Sequence, residues 1–200
     1  MPKQDRSRAT RERLLEATVA SLAESGWART TVATVAARAG VSRGAAQHHF
    51  PTRGDLVTAA IAHMTDVRLA GVRGTAGDPP EGSNRTRWAL DQIVGFYTGA
   101  LFRAALQVWA EAAVDPGLRA QVIPLERALA REAYHLAVVL LGVDGSDPRV
   151  RTLVSGVLDL ARGLGLADVL TDDKRRRQRV LDAWAERLDL ALTRPGNIHI

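Results

Sequence analysis

The sequence predicts an all-α protein, with a three-helix N-terminal head on a larger helical body and about nine helices in all. Three observations predict it. Apolar residues recur at helical spacing almost throughout. No apolar/polar alternation is long enough to argue for a sheet. The breakers fall at helix-length intervals: Ser25-Gly26, Gly40, Pro51, Gly74 to Ser83, Asp115-Pro116-Gly117 and Gly142 to Pro148.

Taken in order, Leu14, Leu15, Ala17, Val19 and Leu22 give the first helix an apolar side, and Gly26 ends it. Thr31 is a good N-cap for a short second helix, in which Val32, Val35, Ala36 and Ala39 form one face. Gly40 stops that helix, because glycine readily takes the left-handed geometry of a sharp stop. Val41 buries in the turn, and Ser42 is placed to cap a third helix of roughly seven residues. Residues 54–73 read as a long connecting helix, and the stretch GTAGDPPEGS after it reads as a linker. Pro124 lies within a helical pattern and should kink or start a helix.

Composition narrows the function. The 200 residues are 46% hydrophobic and 24% charged, enough to bury a core. With no cysteine, disulfide scaffolds, cysteine nucleophiles and thiolate metal sites are excluded. The longest charge-free apolar runs, such as Ala133 to Val143, are 11 residues, too short to span a bilayer. The opening MPKQDRSRATRER has no apolar signal region, so a cytoplasmic protein is expected. The chain holds 27 basic and 22 acidic residues, and the charge is unevenly spread. Residues 1–56 carry nine basic groups and five acidic ones, leaving 18 and 17 for the rest. A small basic head on a near-neutral body suits a module that binds a polyanion.

Helix, tight glycine turn and second helix make a helix-turn-helix, although by shape alone an ordinary αα-hairpin fits as well. In a helix-turn-helix the last helix enters the DNA major groove and its first residues reach base edges. Arg43 would project from that helix's first turn, and Gly44 and Ala45 would permit close backbone approach. Gln47 and His48 can share the same outer face. Arginine forks onto guanine and glutamine onto adenine. Thr30, Thr31 and the amides near them are candidate phosphate contacts.

The run TTVATVAARAGVSRG from Thr30 to Gly44, followed by HHFPTRGDL from His48 to Leu56, resembles the DNA-binding domain of TetR-family transcriptional regulators. The first helix and the Gly26-Trp27 step fit as well, so the resemblance covers about residues 8–56. It implies a DNA-binding domain over 1–52 and a ligand-binding and dimerisation domain over 53–200. It also implies a homodimer on double-stranded DNA, released by a small-molecule effector. Ser42, Arg43, Gly44, Ala45, Gln47, His48, His49 and Arg53 join Thr30 and Thr31 as DNA-binding candidates. Three positions depart from the common pattern: Gln47 where many members have tyrosine, Ala33 where many have a polar or basic residue, and Arg53 for a common lysine. The operator is therefore not transferable from a relative.

In the body, Trp88, Phe96, Phe102, Trp109, Tyr134 and His135 are candidates for a pocket that takes a flat apolar or aromatic effector, although aromatic residues also serve as core. Two apolar stripes follow. Leu153, Val154, Val157, Leu158 and Ala161, then Leu181, Trp184 and Leu188, form a candidate four-helix dimer interface, with monomer core as the alternative. Gly156 and Gly163 would let another helix approach closely.

Other motifs fall short. Gly40-Val41-Ser42-Arg43-Gly44 has the spacing of a hydrolase nucleophile elbow, which needs a strand before the serine; a helix precedes this one. Glu132 and His135 make a single Glu-x-x-His pair, where di-iron bundles need two plus further glutamates. The run Lys174 to Arg177 with Arg179 reads as a solvated helix face, with Asp172 and Asp173 well placed at its start. No catalytic set, metal or cofactor is expected.

Overall fold

The computed structural model describes residues 3–75 and 79–193, which form nine helices. These are α1 (Lys3–Arg29), α2 (Val32–Arg38), α3 (Arg43–His49), α4 (Arg53–Thr75), α5 (Arg85–Phe96), α6 (Ala100–Ala112), α7 (Pro116–Leu141), α8 (Pro148–Ala167) and α9 (Lys174–Thr193). Residues 76–78 of the expected linker lie outside the described residues. The helices fall into two compact units. One is Met1–Ala70 with Gly99–Leu129; the other is Gly71–Thr98 with Ala130–Ile200. This division by packing does not follow the line between residues 52 and 53, because α6 and the start of α7 belong with the head's helices.

In the first unit α1 packs along α6, and α2 and α3 also pack against α1. Leu14, Leu15, Thr18 and Leu22 are wholly buried on one face of α1, each large apolar side chain contributing about 1.5–3 kcal/mol. Thr18 is tolerated there because its hydroxyl donates to the Leu14 carbonyl at 2.7 Å. Gly26 breaks α1 as expected, with φ +75°, and the chain resumes helical geometry to Arg29. The core is completed by Val35 and Ala36 of α2, Ala46 of α3, Leu56 and Val57 of α4, and Ala104 and Val108 of α6.

Pro124 does not start a helix. Pro116 does, where the Asp115 carboxylate accepts from the Gly117 and Leu118 amides at 2.8 and 3.0 Å, and Pro124 lies inside α7. The break between α5 and α6 was not among the expected ones; Gly99 makes it with φ +85°.

In the second unit α5 packs on α8 and α9. Polar ties fix this packing. Arg87 meets Asp182 at 2.6 Å, Asn84 donates to Asp189 at 2.8 Å, and Thr86 donates to the same carboxylate. Arg177, near the start of α9, reaches Asp168 at the end of α8 at 2.6 Å.

Candidate DNA-reading surface

The surface is built from two short helices whose ends are closed by side chains and turn geometry. Thr31 caps α2: its hydroxyl accepts from the Thr34 amide at 3.1 Å, and Thr34 Oγ1 accepts from the Thr31 amide at 2.9 Å. Such a reciprocal cap satisfies two donors that a helix start leaves unpaired. At the other end Gly40 takes φ +63°. Its amide bonds the Ala37 carbonyl and the Val41 amide bonds that of Ala36, which is a Schellman stop. Ser42 then caps α3, accepting from the Ala45 amide at 3.2 Å.

α3 has one buried anchor, Ala46, which is 1% exposed. With that face turned inward, Arg43, Gly44, Gln47 and His48 are exposed together, and Ala45 and His49 are half-buried beside them. A side chain added at Gly44 would meet nothing within 4 Å, so the first turn of α3 is open to a close-approaching ligand. The His48 and His49 rings stand edge to face at 5.9 Å, and His49 also borders Phe50, the residue that ends α3. Arg43 meets no carboxylate among the described residues. Donors at 43 and 47 and small groups at 44 and 45 therefore form one face with the chemistry that base edges require.

Two expected contacts are corrected. Thr30 is fully buried and its hydroxyl donates to the Gly26 carbonyl at 2.8 Å, so it closes the backbone after the α1 break and reaches no phosphate. Arg53 is committed elsewhere too. Its guanidinium lies over the Trp27 ring, 3.8 Å from the centroid, and donates to the Trp27 carbonyl. Burial lowers its pKa, and the negative charge of Glu111 opposes that. Cation–π stacking with a carbonyl acceptor ties the start of α4 to the end of α1. Nothing in the local sequence announces a partner 26 residues away. A signal that was readable is the cap of α4: Thr52 and Asp55 exchange hydrogen bonds at 2.7 to 3.2 Å, at the usual three-residue spacing.

The remaining candidates are placed as follows. Phe102 and Trp109 lie in the first unit, edge to face at 6.2 Å, and a recess of about 220 Å³ beside Trp109 is lined by Ala112, Ala113, Arg119, Val122, Ile123 and Glu126. Trp88, Phe96, Tyr134 and His135 lie in the second unit. There Phe96 is core and Tyr134 donates to the Gly145 carbonyl at 2.9 Å. His135 is exposed, so it lines no interior wall of its own unit.

The expected dimer residues fall into two groups. Val154, Val157, Leu158, Ala161, Leu181 and Leu188 are 0–6% exposed within the single chain, and Leu153 and Trp184 are half-buried. The six enclosed side chains bury the unit's own core, where α5 packs on α8 and α9, while Leu153 and Trp184 keep part of their surface open. The outer face of α8 is different. Gly156, Gly163 and Leu166 are exposed there, and a side chain added at either glycine would meet nothing within 4 Å.

Comparison with known proteins fits this geometry. Residues 14–60 match the family model for bacterial regulatory proteins of the tetR family. The HTH-type transcriptional regulator CymR of Pseudomonas putida is 28% identical over 186 residues, which cover 91% of this chain and 90% of CymR. The structure of a transcriptional regulator from Rhodococcus sp. Rha1 superposes with a TM-score of 0.71 at 25% identity, covering 93% of this chain and 99% of that one. The multidrug binding protein EbrR, solved with imidazole, superposes with a TM-score of 0.58 at 25% identity, covering 94% and 97%. The nine-helix all-α architecture is that of these neighbours. Residues 14–60 thus carry a helix-turn-helix of the tetR type, and over nearly its whole length the chain is similar to HTH-type transcriptional regulators.

Proposed function

We propose that the protein is a repressor that binds a palindromic operator as a homodimer and is released by a small apolar or aromatic effector. The observation that carries this is the outer face of α3, where Arg43, Gly44, Gln47 and His48 are exposed together behind the Ser42 cap. Each half-site is read by one α3, and two copies must present them about 34–36 Å apart to meet successive major grooves. The second copy docks on the outer face of α8 around Gly156, Gly163 and Leu166 rather than on the buried stripes. Release requires an effector that binds the two states of the dimer unequally. The likeness to EbrR, solved with imidazole, supports a body that accepts small cyclic ligands, and the aromatic residues near Phe102 and Trp109 are the first place to look. Such a protein works in the cytoplasm, on chromosomal DNA.

Selection of DNA fragments by the purified protein, followed by gel shift, tests the reading. A palindromic consensus is expected, and binding that ignores sequence would overturn it. Arg43→Ala should lose about 1–3 kcal/mol of operator affinity and relax one base pair per half-site. For the interface, Leu166→Glu should yield monomers in sedimentation without loss of helicity. An intact dimer would move the interface elsewhere.

A further inference from the structure

We infer that the first half of α1 is a second DNA-binding surface, whose arginines grip the sugar–phosphate backbone beside the bases that α3 reads. The inference rests on the function proposed above and adds to it a surface that the α2–α3 pair does not include. It starts from where the head's positive charge is available. Residues 1–56 hold nine basic groups, and the structure withdraws several of them. Arg38 is held by Glu24 through two hydrogen bonds of 2.7 and 2.8 Å. Arg53 is stacked on Trp27, Arg8 pairs with Glu12 at 3.1 Å, and Arg29 donates to the Ser25 carbonyl of its own helix. Besides Arg43, the described head arginines that meet neither a carboxylate nor a carbonyl are Arg6, Arg11 and Arg13, all exposed and all in the first half of α1.

Their position adds the second argument. α1 begins at Lys3, well before its first fully buried residue, Leu14. Its opening turns therefore project past the core that α1 shares with α2 and α3, as an already formed helix. Two contacts locate this projection. The Arg11 guanidinium lies 5.5 Å from the centroid of Phe50, the residue that ends α3. Arg13 lines a shallow groove with Glu16, Arg38 and Ala39, immediately before the Gly40–Val41 turn that leads into α3. The two arginines thus flank the reading helix, one beside its end and one beside the turn before it. Arg6 lies seven residues before Arg13, two turns further along the same side. Exposed guanidinium groups bordering a base-reading face suit the phosphates that run along both edges of the major groove.

Such contacts set affinity and salt dependence but not sequence preference. The experiment measures binding of the full-length protein to its selected duplex and to an unrelated duplex of equal length, over a range of salt concentrations. Arg11→Gln/Arg13→Gln should flatten the plot of log affinity against log salt by about four, since a dimer loses two phosphate contacts in each protomer at roughly 0.9 each, while keeping the ratio between the duplexes. Arg11→Lys/Arg13→Lys should restore the slope. Arg6→Gln touches no packed group and should flatten it by about two, one contact from each protomer. If the wild type binds its duplex and both glutamine variants keep its slope, the α1 surface is refuted while the repressor reading stands. A loss of the ratio between the duplexes would also refute it, since it would make these arginines base readers. If the wild type binds no DNA, both readings fall.

Discussion

The chain has two arginine-rich stretches that look alike in composition, and the structure pairs them with acids to different degrees. Along the start of α9, Lys174 lies 3.8 Å from Asp172, Arg176 meets Asp173 at 2.6 Å, and Arg177 meets Asp168 at 2.6 Å, which leaves Arg175 and Arg179 as the cations of that run with no acid in reach among the described residues. In the first half of α1 and on α3, Arg6, Arg11, Arg13 and Arg43 meet no carboxylate among the described residues. Charge density alone does not separate a polyanion surface from a solvated helix end. What separates them is whether acids lie within reach, and acids that close cancel the long-range field as well as the local charge.

This contrast can be broken at three points. The largest effect is expected at Arg53, a head cation that the structure removes from the open charge. Arg53→Ala should cost about 2 kcal/mol of stability through the lost stacking and hydrogen bond, with no change in the salt dependence of DNA binding. Normal denaturation together with a flatter salt plot would return Arg53 to the DNA surface. Next is Arg177→Gln in the paired stretch. It should cost about 1 kcal/mol by removing a half-buried ion pair, and it should leave DNA binding alone. A changed salt slope there would erase the distinction between the two stretches.

The smallest effect concerns Glu24. Hydrogen bonds from Arg38 hold its carboxyl below the usual glutamate range. A depressed acid adds stability above its unfolded pKa and loses it as pH falls through the folded one. The melting temperatures of wild type and Glu24→Gln should therefore differ slightly at neutral pH and converge in acid. A gap that persists in acid would mean that Arg38 is not neutralised by this pair.

How far the sequence could be read depends on the range of each interaction. The ends of α2 and α3 are legible in the sequence, because the caps at Thr31 and Ser42 and the stop at Gly40 are all local. Thr30 and Thr31 sit side by side, yet one is buried on Gly26 and the other caps α2. Which does which depends on the backbone break at Gly26, and composition does not carry that. The stripes of α8 and α9 were legible as helices, but an apolar stripe does not say whether its partner is α5 or a second copy. The stack of Arg53 is illegible for a related reason: its partner, Trp27, comes from another helix. Of the aromatic candidates, only Phe102 and Trp109 are neighbours through helical spacing.

The stack of Arg53 on Trp27 also has an optical consequence. Indole emission responds to a charge held against the ring, so Trp27 works as an intrinsic dye for the junction between α1 and α4. The chain has four tryptophans, two of them in each compact unit. Replacing Trp88, Trp109 and Trp184 by phenylalanine would leave Trp27 as the only emitter. Its spectrum would then report, without a label, each time the guanidinium leaves the ring.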